Sequence, residues 1–283
     1  MLTVLHASDL QCGRPFLSYA AEALILLAHQ AAPDVIVLSG DLTQRAKDSE
    51  FRTAQALIEQ LPSVPLIVTP GNHDVPLYRV WERLATPFRN WRRVISTELD
   101  SVTSFPGGTF VALNSAAPRR AIVNGRLDQH QIEFAKHEFT KAPPSNVRAL
   151  VVHHHFVSTT DGSGGPPLPG AKAHMRAFES MGADLVLGGH VHQTHVTTSR
   201  DLLPACNEPG IPLINCGTTT SVRGRGFEEG LNSLNLVKVS LGKVEVLPHI
   251  LEPNNSRFKP KTSIVLPRRF AGDRNIRTSE VIQ

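Results

Sequence analysis

The strongest constraint on this chain is a series of short apolar runs, each closed by a polar or ionisable group. Leu2 to Ala7, Val35-Ile36-Val37-Leu38 and Leu66 to Thr69 are the first three. Continuous aliphatic runs suit strands of a sheet covered on both faces. Between them, Ala20 to Ala31 and Ser49 to Leu61 read as helices, with Phe51, Ala54, Leu57, Ile58 and Leu61 at helical spacing. Pro33-Asp34 resets the chain before the second strand. The first 75 residues therefore read strand–helix–strand–helix–strand, in parallel units with right-handed crossovers.

The rest of the chain becomes richer in strands. Val75 to Asp100 is irregular to helical and carries Trp81 and Trp91. Val102 to Phe105 and Phe110 to Asn114 read as paired strands joined through Pro106-Gly107-Gly108. Asp128 is an N-cap candidate for a helix reaching about Thr140. Val147 to Val152 is a buried strand that runs into His153-His154-His155. Thr159 to Gly170 is rich in Gly and Pro, as in a lid or substrate wall. Ala171 to Gly182 reads as a helix, and Ala183 to Leu187 as a strand ending at Gly188-Gly189-His190-Val191-His192. Thr194 to Thr198, Pro212 to Cys216, Ser233 to Ser240 and Val244 to Ile250 read as strands, the last two joined by Leu241-Gly242-Lys243. From Asn254 onward Pro, Arg, Asn, Ser and Lys dominate. The expected organisation is one domain over residues 1–253 and a loosely docked tail over 254–283.

Composition narrows the function classes. With 283 residues, 41% apolar and 19% charged, the chain has the profile of a globular enzyme with a substantial core. Its net charge of +4 suits a phosphate-bearing ligand. No run of Lys and Arg forms a backbone-binding stripe, which disfavours nucleic acid as partner. Arg92-Arg93, Arg119-Arg120 and Arg268-Arg269 are isolated pairs, expected to be solvated. Cys12, Cys206 and Cys216 fit no CxxC spacing, which points to a reducing, cytoplasmic compartment. The N-terminus reads as a strand with no secretory signal, and no apolar run approaches a membrane span.

The chemistry lies in the polar ends. Asp9 with Gln11, Asp41, Asn72 with His73, His154 with its neighbours, and His190 with His192 each follow an apolar run. Open α/β sheets place their chemistry just outside the carboxyl ends of strands. Burying so many ionisable groups without a cation costs several kcal/mol each. Oxygen and imidazole donors without thiolate suit Mn, Fe or Zn over Ca or a structural zinc. Two metals sharing a carboxylate at roughly 3.5–4 Å form a geometry for in-line attack on a phosphoryl group.

Ser8-Asp9-Leu10-Gln11, Gly40-Asp41, Gly71-Asn72-His73-Asp74, His153-His154-His155 and Gly189-His190-Val191-His192 resemble, in this order, the motif blocks of the calcineurin-like metallophosphoesterases. The blocks span residues 9 to 192. The chain looks most like the bacterial branch of cyclic-nucleotide and glycerophosphodiester phosphodiesterases. Ser39-Gly40-Asp41-Leu42-Thr43 and the short spacing from Gly71-Asn72-His73-Asp74 to His154 carry that likeness.

The resemblance implies an α/β fold of the four-layer αββα sandwich type. It implies two metal ions, with Asp41 bridging them, Asp9 and His192 on the first, and Asn72, His154 and His190 on the second. His73 is implied to sit over the substrate phosphate and to protonate or stabilise the leaving oxygen, with Asp74 orienting it. A water between the metals, its pKa lowered by them, is the implied nucleophile. The implied substrate is a small phosphodiester. A phosphomonoesterase or nuclease on the same site is the alternative, and a non-catalytic binding scaffold is a third reading. A homo-oligomer is left open.

Two positions depart from the family pattern. An ungapped alignment puts Phe156 at the family's Pro position and makes His154 the ligand; a shift of one residue gives His153. Gln11 stands where the family has His. Glutamine coordinates weakly through its carbonyl oxygen or not at all, so the first metal is expected to be held less tightly. Arg223 and Arg225 form either a phosphate-binding pair or a solvated turn. Loops 12–19, 75–100 and 156–172 are the expected substrate walls.

Overall fold

The computed structural model describes residues 1–120, 123–204, 208–253 and 255–269. Its first half runs β1 (Leu2–Ala7), α1 (Ser18–Ala31), β2 (Val35–Leu38), α2 (Asp48–Ile58), β3 (Leu66–Val68), α3 (Val80–Ala85), α4 (Arg89–Val94), β4 (Ser101–Phe105) and β5 (Gly108–Leu113). There follow α5 (Gln129–Lys141), β6 (Val147–Val152), α6 (Ala171–Ser180), β7 (Leu185–Gly188), β8 (His195–Thr198) and β9 (Pro212–Asn215). The last strands are β10 (Asn232–Val239), β11 (Lys243–Leu251), β12 (Lys259–Pro260) and β13 (Ile264–Pro267).

These strands make two sheets. One has the order β12-β11-β10-β1-β2-β3, with β13 also on β11; the other is β4-β5-β6-β7-β9-β8. β1, β2 and β3 are parallel, as are β5, β6, β7 and β9, so their carboxyl ends share a side. The period-2 alternation of each strand splits its side chains between two cores. Val4, Val35, Val37, Ala149, Val151, Leu185 and Leu187 fill the space between the sheets. Leu5, Ala7, Ile36 and Leu38 face the other way, onto Leu24 of α1, Phe51 of α2 and Trp91 of α4. Leu150, Val152, Val186 and Leu213 pack on Ile132 and Phe139 of α5 and Phe178 of α6. The result is helix, sheet, sheet, helix: the expected αββα sandwich. Within Val75–Asp100, Trp91 is buried edge-on against Phe51, with ring centroids 6.2 Å apart, while Trp81 is exposed.

The segment after residue 254 differs from its expectation. β12 and β13 pair antiparallel with β11, and Phe258 is buried in the core beneath the first sheet. Arg268 is not solvated: it forms a two-pronged ion pair with the buried Asp184, at 2.9 and 3.0 Å, and donates to the Ser240 carbonyl. Arg269 pairs with Glu179 and Glu208. The polar composition that suggested a loose tail instead marks an edge strand plus an arginine clamp between the sheets, since a charged strand is tolerated at a sheet edge. Residues 270–283 and Cys206 lie outside the described residues.

Candidate active site

The polar strand ends of both sheets meet on one side of the sandwich. To turn directly out of their strands, Asp9, Gln11, Asp41, His190 and His192 adopt positive φ of 52°, 48°, 53°, 73° and 59°. Each such residue costs an L-amino acid about 1–2 kcal/mol. Among the described non-glycine residues only Ala32 and Ala46 share the conformation, so the strain is concentrated here. Backbone bonds tie the turns together: Asp9 donates to Gly40, Gln11 to Asp41 and Gly189 to His153. Two glycines allow a close approach. A Cβ on Gly71 would lie 2.1 Å from Asp41 Oδ1, and one on Gly189 would lie 1.9 Å from Ser8 Oγ.

Hydrogen-bond partners fix the histidine tautomers. His153 Nδ1 lies 2.8 Å from the Ser39 carbonyl, and His192 Nδ1 lies 3.0 Å from the Arg223 carbonyl. A carbonyl only accepts, so these nitrogens carry the hydrogen and the neutral rings present bare Nε2 lone pairs. His153 Nε2 faces Asn72 Oδ1 at 3.3 Å and Asp41 Oδ1 at 3.4 Å. His192 Nε2 faces Asp9 Oδ1 at 3.4 Å, and that oxygen accepts no hydrogen bond. Acceptor confronts acceptor, buried, which needs a proton or a cation between them. Donor atoms of Asp9, Asp41 and His153 all lie within 4.8 Å of one another. His190 Nδ1 sits 3.0 Å from Asn72 Oδ1. Carboxylate, amide and imidazole donors in this arrangement fit divalent metal ions.

The electrostatics separate the two halves of the site. For His153, burial disfavours the charged ring, but the Asp41 and Asp9 carboxylates outweigh it and raise its pKa to about 9. For His192, burial is joined by the charges of Arg223 and Arg225, and the ring is pushed down to about 3. Burial also opposes the Asp41 charge, yet His153 and His73 hold that carboxyl well below its ordinary range. Burial raises the Asp9 carboxyl to about 7, so without a metal a proton on His153 serves one contact and a proton on Asp9 the other.

Three placements differ from expectation. His153, not His154, reaches Asp41 and Asn72. The reason is strand parity: Ala149 and Val151 of β6 face the first sheet, and His153 continues that side. His154 turns the other way, its Nδ1 2.7 Å from Ser115 Oγ and its ring against the backbone of Gly125. Asp74 does not orient His73. Its carboxylate accepts from the amides of Leu42, Thr43 and Gly71 and from Thr43 Oγ1, and so locks the loop after β2 to the loop after β3. His73 is oriented by the Gln44 carbonyl, 3.0 Å from Nδ1. Third, Gln11 turns its oxygen out of the site. Oε1 accepts from Arg223 at 3.3 Å and from Ser221 at 3.4 Å, and an arginine only donates. Its amide nitrogen points inward, 3.5 Å from Asp41 Oδ2 and 3.4 Å from His192 Nε2.

Arg223 sits at the centre, although the sequence offered it only as one of two readings. Its guanidinium donates to His73 Nε2 at 3.0 Å and to Gln44 Oε1 at 3.3 Å. A cavity of about 300 Å³ opens over Asp41, Asn72, His73, His190 and Arg223. Ser163 to Pro166 wall it from the Gly/Pro-rich loop, and Leu77 from the 75–100 region. Val123 and Asn124 also line it, a contribution with no sequence signal. Residues 12–19 instead line a neighbouring groove, through Arg14 and Pro15.

Residues 2–194 match the calcineurin-like phosphoesterase family. The chain belongs to that family. Calcineurin-like phosphoesterases are metal-dependent, and membership implies a dinuclear metal site here. A protein of Synechococcus sp. described as a probable cyclic nucleotide phosphodiesterase is 29% identical over 179 residues, 59% of this chain. The match covers 61% of that relative's length. A dimetal phosphatase from Danio rerio has the same fold, with a TM-score of 0.63 at 12% identity, over 94% of this chain and 99% of that one. A purple acid phosphatase from yellow lupin (Lupinus luteus) seeds gives 0.67 at 12% identity, over 94% of this chain and 54% of that one. Both structural likenesses are of fold. Among the described residues no helix is long and apolar enough to cross a membrane.

Proposed function

We propose that the chain is a metal-dependent phosphodiesterase acting on a small phosphodiester. The convergence of buried donor atoms carries the metal-dependent part of this reading: Asp9, Asp41 and His153 within 4.8 Å of one another, His192 Nε2 3.4 Å from Asp9, and His190 Nδ1 3.0 Å from Asn72 Oδ1. The diester part draws on the Synechococcus relative. Asp9, Asp41 and His192 would hold one ion; Asp41, Asn72, His153 and His190 would hold the other. When bound, the metals supply Lewis acidity to the phosphoryl group and to a water.

The remaining chemistry belongs to the chain. His73 lines the cavity with Nε2 inward, its ring fixed by the Gln44 carbonyl. Once Arg223 has left it, His73 Nε2 takes up a proton from solvent, and as the P–O bond to the leaving group breaks it delivers that proton to the departing oxygen. Arg223 exchanges its contact with His73 for a phosphate oxygen and stabilises the charge that develops there. The Ser163–Pro166 segment bounds the cavity on one side of this exchange.

Turnover of bis-p-nitrophenyl phosphate and p-nitrophenyl phosphate, assayed with Mn, Fe, Zn, Co and Ni, tests the assignment. The diester is expected to be the better substrate; a higher rate on the monoester would make the chain a phosphomonoesterase. His73→Ala is expected to lose about 10²–10⁴-fold on a diester with an alkyl leaving group, and much less on a nitrophenyl one. Equal losses on both would assign His73 to charge stabilisation alone. Gln11 favours a second reading, a binding scaffold, because its amide N–H groups face two would-be ligands of the first metal. No hydrolysis with any of the five metals would support the scaffold.

A further inference from the structure

Next to the candidate active site lies a groove of about 750 Å³ whose walls carry four cations, Arg14, Arg45, Lys47 and Arg223. Glu50 is the single carboxylate there, and its Oε2 is committed to the backbone amides of Arg45 and Lys47, at 2.7 and 3.3 Å. Among the described residues none of the four cations forms an ion pair. Three loops build the walls, and backbone contacts hold them together. Gln44 donates to Cys12, Val222 donates to Pro15, and Phe16 bridges to Ser221. The groove is thus part of the fold, with four cations set against one carboxylate.

Arg223 lines both this groove and the active-site cavity. Gln44 links them as well, its carbonyl holding His73 and its side chain accepting from Arg223. A singly charged diester placed at His73 would engage Arg223 and leave Arg14, Arg45 and Lys47 without an anion, with Arg45 stacked on the Tyr78 ring at 4.5 Å. A cleft lined by one sign of charge concentrates the opposite charge, and guanidinium forks suit phosphate oxygens.

We propose that the groove holds a second phosphate group of the substrate, so that the natural substrate is a small phosphate ester bearing two phosphates. The scissile group lies at His73 and the other among Arg14, Arg45 and Lys47. The identity of the cleaved group rests on the phosphodiesterase reading; occupancy of the groove does not.

Calorimetric titration of the full chain as purified separates the two claims, because it needs no turnover. The probes are hydrolysis-resistant: methylphosphonate, and the ethylene-, propylene- and butylene-linked diphosphonates. At least one diphosphonate is expected to bind about tenfold or more tighter than methylphosphonate. In the R14E/K47E variant that ratio is expected to fall to about one, and in R14Q/K47Q to an intermediate value. Equal affinity for all four probes, or a ratio that survives both variants, would overturn the proposal. Loss of the ratio in a variant whose melting temperature has also fallen does not count as support unless R14Q/K47Q, still folded, shows the intermediate value. A chain that keeps the diphosphonate preference yet hydrolyses no diester would sink the phosphodiesterase reading and leave the groove assignment standing.

Discussion

Gln11 illustrates how one side chain sets the character of a site. A histidine there would offer a lone pair to the first metal, whereas the glutamine offers N–H groups to Asp41 and His192. Those N–H groups stand where a cation would be held, and Arg223 and Ser221 anchor the other end of the amide. Gln11→His is therefore expected to raise tightly bound metal from about one to about two ions per chain, measured by elemental analysis after desalting. Two tightly held ions in the unaltered protein would refute this account of Gln11. Asp74 gives a second expectation at the same scale. It accepts four hydrogen bonds while fully buried, and an Asn there would turn an NH₂ group toward donors. Asp74→Asn is expected to lose about 1–3 kcal/mol of stability in urea denaturation. It should also slow turnover, because the loop carrying His73 and the loop carrying Gln44 are no longer locked together. Full stability in the variant would show that the carboxylate is not what joins them.

Among the elements, β1 and β6 show how strand parity assigns chemistry. Alternate side chains of β6 face the other sheet, so His153 falls on the metal side and His154 on the helix side. β1 buries His6 completely, with Nε2 2.9 Å from Ser39 Oγ. Burial pushes that ring from its usual 6.5 to about 3. The unfolded chain takes up the proton below 6.5 and the folded chain does not. Stability contributed by keeping His6 neutral is therefore lost as pH falls from 6.5 toward 3, by at most about 1.4 kcal/mol per pH unit. Chemical denaturation at several pH values should show a shallower acid slope for His6→Gln than for the unaltered chain. Identical slopes would mean that His6 does not titrate on unfolding. Other buried histidines, such as His190, contribute to both slopes and cancel in the difference.

On the scale of the whole molecule, the two sheets are joined by the apolar layer between them and by the Arg268–Asp184 clamp. Removing one partner of a buried ion pair costs roughly 3–5 kcal/mol. Arg268→Ala is expected near the low end, about 3 kcal/mol by urea denaturation, because the Arg148 amide still donates to Asp184. A loss under about 0.5 kcal/mol, as for an ordinary surface residue, would return the segment to a loose tail. The layer order was implied by the family resemblance; the parallel strands and the polar strand ends were legible in the residues themselves. They rest on local properties: apolar period, breakers, and residue types too polar to bury without a purpose. Asp9, Asp41, Asn72, His73, His190 and His192 could be named on that basis, because each directly follows its strand. Arg223 was legible only as one of two readings, because its partner His73 lies 150 residues away and no periodicity links them. The same holds for Arg268 with Asp184, 84 residues apart, and for Asp74 with Thr43, 31 apart. The sequence by itself determined which strands form and which chemical groups end them, since hydrophobic period and turn chemistry act over a few residues. Tertiary structure alone decided that His153 faces the site, that Gln11 turns its oxygen away and that Arg223 reaches His73. Those outcomes depend on how loops from distant parts of the chain pack against one another.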